Sequence, residues 1–238
     1  MSPQAIVRSA RQPAVVRLGT ALMPCVLVLG MGLGLQAVAQ PLDRAAAQAA
    51  QPPTNQGIGM ARASASVLAV VQGSLRSGDH QGLPFVVVDK IHARVFVFSG
   101  AGHLLGTSPA LLGLARGDEA IAGLGDRPLS QIQPQERVTP AGRYVAELDR
   151  NAAGQTILWV DYEQAISLHP VRSLNPLERR LSRLASASLQ DKRISYGCIN
   201  VPTLFWRAVV LPAFRNTKGI VYVLPDSRPL DSVFAHLL

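Results

Sequence analysis

Aromatic residues are scarce in this 238-residue chain, at 5%, and cysteine is nearly absent, with two. A core must therefore come from Val, Leu, Ile and Ala, which the 48% hydrophobic fraction supplies. Two cysteines cannot make a disulfide framework. No Cys/His set has zinc-finger spacing, no two histidines share a ligand spacing, and the carboxylates do not cluster, so no metal and no cofactor is expected. No arginine-rich run is interleaved with aromatics, which argues against nucleic acid despite a formal net charge of +8. There is no internal repeat. The first 39 residues lack acids altogether; Arg8, Arg11 and Arg17 carry three of the eight net charges there and leave five for the rest. That excess suits an anionic polymer or a membrane surface without identifying either.

The basic opening is followed by an apolar, uncharged stretch from Leu18 to Leu35 and by the small residues Ala37, Val38 and Ala39. Together they predict an export signal over 1–39, cleaved before Gln40. The stretch is also about long enough to span a bilayer, so a retained anchor is the alternative, and membrane association is expected only in that case. Pro24, Gly30, Gly32 and Gly34 weaken a helix there and favour cleavage. Cys25 would leave with the signal. Under either reading the folded part lies in the periplasm or cell envelope. Residues 40–60, rich in Ala, Gln and Pro, read as a flexible linker. Residues 61–82 read as a helical extension, with Val67, Leu68, Val71 and Leu75 on one face and Gly78-Asp79 as the stop.

Residues 83–225 form the main domain and 226–238 a C-terminal tail. Phe85–Asp89, Val95–Phe98, His103–Leu112, Arg143–Leu148, Ile157–Asp161, Ala165–Leu168 and Gly219–Leu224 read as strands, the sixth delivering His169 at its end. Gly113 to Glu136 reads as a surface loop. Thr139-Pro140-Ala141-Gly142 is a turn in which Pro fixes φ and Gly permits a positive one. Asn175 caps a predicted helix with Pro176 at its first position; Leu177, Leu181 and Leu184 form its apolar stripe, and Arg179, Arg180 and Arg183 its wet face. A further helix is predicted from Pro202 to Leu211, with Leu204, Phe205 and Ala208 spaced for burial. The fold class is mainly β with a few helices.

Cys198 is the only cysteine left after signal removal. An unpaired thiol in an exported protein is either a small buried hydrophobe or a nucleophile. The spacing puts it just upstream of the predicted helix, where backbone N–H groups and the dipole favour a thiolate. Gly197 lets backbone approach closely, so the Gly197 and Cys198 N–H groups are the oxyanion candidates. A cysteine nucleophile needs a base, and histidine suits neutral pH. Of five histidines, His80 and His92 read as solvated, His103 opens a strand and His236 lies in the tail. His169 sits at a strand end ahead of the cysteine, as a Cys/His pair on neighbouring elements requires; a solvated surface site is the alternative.

The run Ser195-Tyr196-Gly197-Cys198-Ile199-Asn200 resembles the signature of the L,D-transpeptidases. Their YkuD-type catalytic domain carries Ser or Thr, then His-Gly-Cys, an apolar residue, and Arg or Asn. Tyr196 stands where the family has histidine. The resemblance extends from Leu83 to Leu224 and includes Thr139-Pro140-Ala141-Gly142-Arg143-Tyr144 and the closing strand. It implies an antiparallel β-sandwich with a catalytic cleft, Cys198 as nucleophile and His169 as base, with Gly197, Tyr196 and Ser195 shaping the site. A Ser or Thr often follows the family's histidine; Pro170 follows His169, so a backbone carbonyl must hold the imidazole. Asn200, Arg193 and Arg143 are the substrate-binding candidates; Arg193, Lys192 or Arg143 could bind stem carboxylates, with solvated surface cations, Lys192 above all, as the alternative. The implied reaction forms 3-3 cross-links between peptidoglycan stem peptides and releases D-alanine. Water as acceptor would make a carboxypeptidase, and a protein amine an anchoring enzyme. Readings of another class are a wall-binding protein without turnover and a structural envelope protein. A papain-type hydrolase has its cysteine before its histidine, the reverse of the order here.

Overall fold

The computed structural model describes residues 59–238. The expected signal or anchor, Cys25 and nearly all of the expected linker lie outside the described residues. Within the described part no helix is long and apolar enough to cross a membrane.

Ser64 opens helix α1 (Ala65–Ser77) by accepting the Val67 N–H, and Gly78 ends it in the left-handed region at φ 71°. Its buried face is Val67, Val70 and Val71, whereas Leu68 and Leu75, expected inside, are 36% and 39% exposed. Gly73 explains the difference. A Cβ there would sit 2.0 Å from the Leu237 carbonyl oxygen, so close backbone contact sets the roll of the helix. His80, expected in solvent, is buried, its ring nitrogens 3.1 and 3.0 Å from the Ser74 and Gly100 carbonyl oxygens.

The strands are β1 (Phe85–Asp89), β2 (Arg94–Phe98), β3 (Leu104–Pro109), β4 (Leu112–Gly113), β5 (Gly142–Arg150), β6 (Thr156–Asp161), β7 (Ile166–Pro170), β8 (Arg193–Ser195), β9 (Ile199–Val201) and β10 (Gly219–Val223). Eight form one sheet in the order β3-β2-β1-β10-β5-β6-β7-β9, and β4 pairs with β8. The fold is mainly β with short helices, as the sequence implies. Most neighbours are antiparallel, but β1–β10, β7–β9 and β4–β8 are parallel. Parallel partners need a crossover. The segment between β7 and β9, with helix α2 (Arg180–Ala185), supplies one of them. The single strand expected over His103–Leu112 is split: Pro109 ends β3, and Leu111 bridges to Asn200 instead.

β1 and β10 are buried on both faces, which accounts for their unbroken apolar runs. Phe85, Val87, Ile220 and Tyr222 join a core layer with α1 and the C-terminal residues Phe234 and Leu237. Residues 226–238 are thus integral to the domain, with helix α4 (Asp231–Phe234) in that layer. Val86, Val88, Val221 and Val223 face the other layer, with β6, β7, β9 and helix α3 (203–213). Each such side chain contributes about 1.5–3 kcal/mol on burial. Helix α3 runs through Thr203–Phe205, a π-helical Trp206–Val210 and Leu211–Ala213. The wider π turn displaces the apolar face. Trp206, Val210 and Phe214 are buried, while Leu204, expected inside, is 81% exposed.

Candidate active site

The parallel register of β7 and β9 sets His169 beside Asn200, with Leu168 and Ile199 paired on the opposite face in the core. Alternation then brings Ser167 level with Cys198, one step back on each strand. The Ser167 hydroxyl lies 3.5 Å from Cys198 Sγ, and Sγ lies 3.6 Å from the Ala165 carbonyl oxygen. Four polar side chains therefore share one face: Ser167, His169, Cys198 and Asn200.

Cys198 is free and partly exposed, and it lines an open groove of about 380 Å³. The groove is lined by Leu129, His169, Arg172, Leu174, Tyr196 and Asn200 among others. A second depression of about 440 Å³, beside Glu147 and the 214–218 loop, has no cysteine or histidine in its lining. The hydrocarbon-sealed alternative for Cys198 is thereby excluded.

The turn carrying Cys198 is fixed from two sides. The buried Ser195 hydroxyl donates to the Cys198 carbonyl at 2.6 Å and accepts the Gly197 N–H at 3.1 Å. Gly197 has φ 130°, and a Cβ there would lie 2.7 Å from the Val138 carbonyl oxygen, so glycine is required twice over. Thr139 of the Thr-Pro-Ala-Gly turn is fully buried; its hydroxyl donates to the Gly197 carbonyl at 2.7 Å and accepts the Gly113 N–H at 2.9 Å. Behind it Lys90 donates to the Thr139 carbonyl at 2.8 Å, to Asp118 at 2.7 Å and to the Gly117 carbonyl.

His169 lies within β7. Its Nδ1–H donates to the Pro170 carbonyl at 2.8 Å, and its Nε2 accepts from Asn200 Nδ2 at 3.3 Å. A carbonyl on one nitrogen and an amide N–H on the other define the neutral Nδ1–H tautomer. Burial, followed by the charges of Arg172 and Arg180, pushes the imidazole down to about 4, against the opposing effect of the Pro170 hydrogen bond. The unfolded chain takes up this proton near pH 6.5. Below that pH the unfolded state binds more protons, so stability falls on acidification until about pH 4. Between pH 7 and 4.5 the wild-type protein is expected to lose about 2 kcal/mol more than His169→Gln. Urea unfolding at the two pH values checks this; equal losses would mean that the imidazole is not held neutral.

Two cations sit where sequence reasoning did not put them. Arg180, read as a wet-face residue, donates to Asn200 Oδ1 at 2.6 Å and pairs with Glu178. The cause is a broken helix: Asn175 caps only the 3-10 turn Pro176–Glu178, Arg179 adopts φ 48°, and α2 starts afresh at Arg180. Leu177 and Leu181 consequently stay 89% and 60% exposed, and of the expected stripe Leu184 alone is buried. Arg137 lies over the Tyr196 ring, Cζ 4.0 Å from its centroid.

Other expected site residues are elsewhere. Arg193 is buried behind the turn, donating to the Lys90 carbonyl at 2.9 Å and paired with Asp226, so it cannot reach a substrate. Arg143 pairs with Asp79 at 2.6 Å and ties β5 to the end of α1. Lys192 is buried and donates to the Arg183 and Leu184 carbonyls of α2. Asn200 lines the groove, but its amide is committed to Arg180 and His169. The Gly197 N–H, an oxyanion candidate, is taken by Ser195, which leaves the Cys198 N–H without a partner among the described residues. The helix-dipole argument also fails: β9 and Pro202 separate Cys198 from α3.

No family model and no curated protein matches this sequence. Among solved structures the chain is similar to an L,D-transpeptidase and to a cell shape determining protein. L,D-transpeptidase LdtMt1 in complex with imipenem matches over 59% of this chain and 58% of its own, at 18% identity and a TM-score of 0.33. The helical cell shape determining protein Pgp2 from Campylobacter jejuni matches over 61% of this chain and 49% of its own, at 16% identity and a TM-score of 0.40. A point mutant of Pgp2 matches over 70% and 58%, at 14% identity and a TM-score of 0.40. The aligned part thus spans about half to three-fifths of those chains.

Proposed function

We propose that this chain is a cysteine-dependent acyltransferase of L,D-transpeptidase type that acts on peptidoglycan stem peptides in the cell envelope. The observation that carries the reading is a partly exposed thiol on a braced Ser-Tyr-Gly-Cys turn, in one groove with a neutral histidine held by a backbone carbonyl. In the proposed reaction Cys198 Sγ attacks the carbonyl of the third stem residue, and its proton passes to His169 Nε2. The carbonyl electron pair moves to oxygen, beside the Cys198 N–H and the Tyr196 hydroxyl. Collapse breaks the peptide bond, D-alanine leaves with the proton from His169, and a thioester remains. An acceptor amine resolves it and completes the 3-3 link; water or a protein lysine would give carboxypeptidase or anchoring products. Arg172 in the groove wall supplies a positive charge for stem carboxylates.

One observation favours a second reading, a wall-binding protein without turnover. Asn200 Nδ2 occupies the nitrogen that must take the proton, and the imidazole resists charging. Incubating purified protein with stem tetrapeptide and following free D-alanine and dimer by mass spectrometry separates the two. Enzymatic function requires D-alanine release; binding with no release establishes the second reading.

A further inference from the structure

The face that carries Cys198 contains a hydroxyl that the reaction above does not use. Ser167 is 4% exposed and sits on β7 among apolar neighbours, with Ile166 and Leu168 in the core on the other side of the strand. A hydroxyl buried to that degree costs about 1–3 kcal/mol unless it is hydrogen-bonded. Among the described residues its one side-chain partner is Cys198 Sγ, at 3.5 Å, with the serine O–H as donor. The other polar atom near the sulfur is the Ala165 carbonyl, which accepts from the thiol S–H and offers a thiolate nothing.

Among the described residues, the other groups that could stabilise a thiolate are distant or already engaged. β9 and Pro202 separate Cys198 from the start of α3. The His169 nitrogens are both engaged, one by the Pro170 carbonyl and one by the Asn200 amide. Arg180 is held by Asn200 and Glu178, and Arg137 lies against Tyr196. We propose that Ser167 is a catalytic residue, donating its hydroxyl hydrogen to Cys198 Sγ and stabilising the thiolate that attacks the substrate. The contact strengthens when sulfur carries the negative charge and weakens when the sulfur is acylated, so the hydroxyl favours the reactive form over the resting thiol. The inference rests on Cys198 as the nucleophile of the proposed function, and it adds a donor that the Ser-Tyr-Gly-Cys run does not contain.

The test reads the thiol directly and needs no substrate. The full chain is alkylated with iodoacetamide from pH 6 to 10, and peptide mapping follows Cys198 separately from Cys25. Ser167→Ala is expected to slow alkylation of Cys198 at pH 7 roughly tenfold. The two proteins should converge near pH 10, where the rate no longer depends on the hydroxyl. Ser167→Thr, which keeps the hydroxyl, should recover most of the rate. Equal rates at pH 7 in folded protein would overturn the proposal, and so would a deficit that persists unchanged at pH 10, which marks mere distortion. If Ser167→Ala does not fold, wild type decides: Cys198 must react faster at pH 7 than it does in urea-unfolded protein, and a slower reaction overturns the proposal. A Ser167 effect without D-alanine release from tetrapeptide would sink the transpeptidase reading alone; release with no Ser167 effect would sink this inference alone.

Discussion

Cys198→Ala is expected to reduce D-alanine release from a stem tetrapeptide by at least about a thousandfold, because no other described group in the groove can form the thioester. The fold should survive. The substitution removes one heavy atom at a partly exposed position, and the turn keeps its brace, since Ser195 and Thr139 grip backbone groups rather than the sulfur. The Ser167 hydroxyl loses its partner, at a cost of about 1 kcal/mol. Urea unfolding and product analysis on the same preparation check both halves. Release that persists in a folded Cys198→Ala protein would move the chemistry to another residue.

The second large effect lies one layer behind the site. Lys90→Met is expected to destabilise the protein by about 3–5 kcal/mol, the usual cost of removing one partner from a buried ion pair. The ammonium is fully buried between Asp118 at 2.7 Å and Asp226 at 3.5 Å. Burial alone would raise the Asp118 carboxyl; hydrogen bonds from Lys90, Ser227 and the Asp226 N–H outweigh it and hold the group well below the usual carboxylate range. Without Lys90 two buried carboxylates face one cation, Arg193. The Gly117 and Thr139 carbonyls lose their donor as well. Because Thr139 grips the Gly197 carbonyl, the damage should reach the cysteine turn, and Cys198 alkylation should change along with stability. Denaturant unfolding measures the first effect. A loss below about 1 kcal/mol would show that the network is not a keystone.

The elements that were legible in the sequence are those whose pattern is local. Phe85–Asp89 and Gly219–Val223 announce themselves by unbroken β-branched and apolar residues, and Gly78 by its place after a helical face. Cys198 and His169 stand out as candidates because few residue types can perform acyl transfer, and the backbone carbonyl that holds His169 was foreseeable from the proline after it. What depends on register was not legible. Ser167 meets Cys198 across 31 residues only because β7 and β9 are parallel and in step. Arg193 and Arg143 are interchangeable with substrate-binding cations until Asp226 and Asp79, 33 and 64 residues away, are seen to claim them. The exposed Leu204 and the buried Val210 reflect a π turn that has no simple residue signature.

All of the chemistry rests on Cys198 acting as an accessible nucleophile in the groove. The most direct test is intact-mass analysis of the purified protein after exposure to a carbapenem, whose strained lactam carbonyl acylates such thiols, followed by peptide mapping. The expected result is one adduct per chain, on the peptide that contains Cys198, and none on Cys198→Ala. An unmodified protein, or an adduct mapped to any other residue, would contradict it.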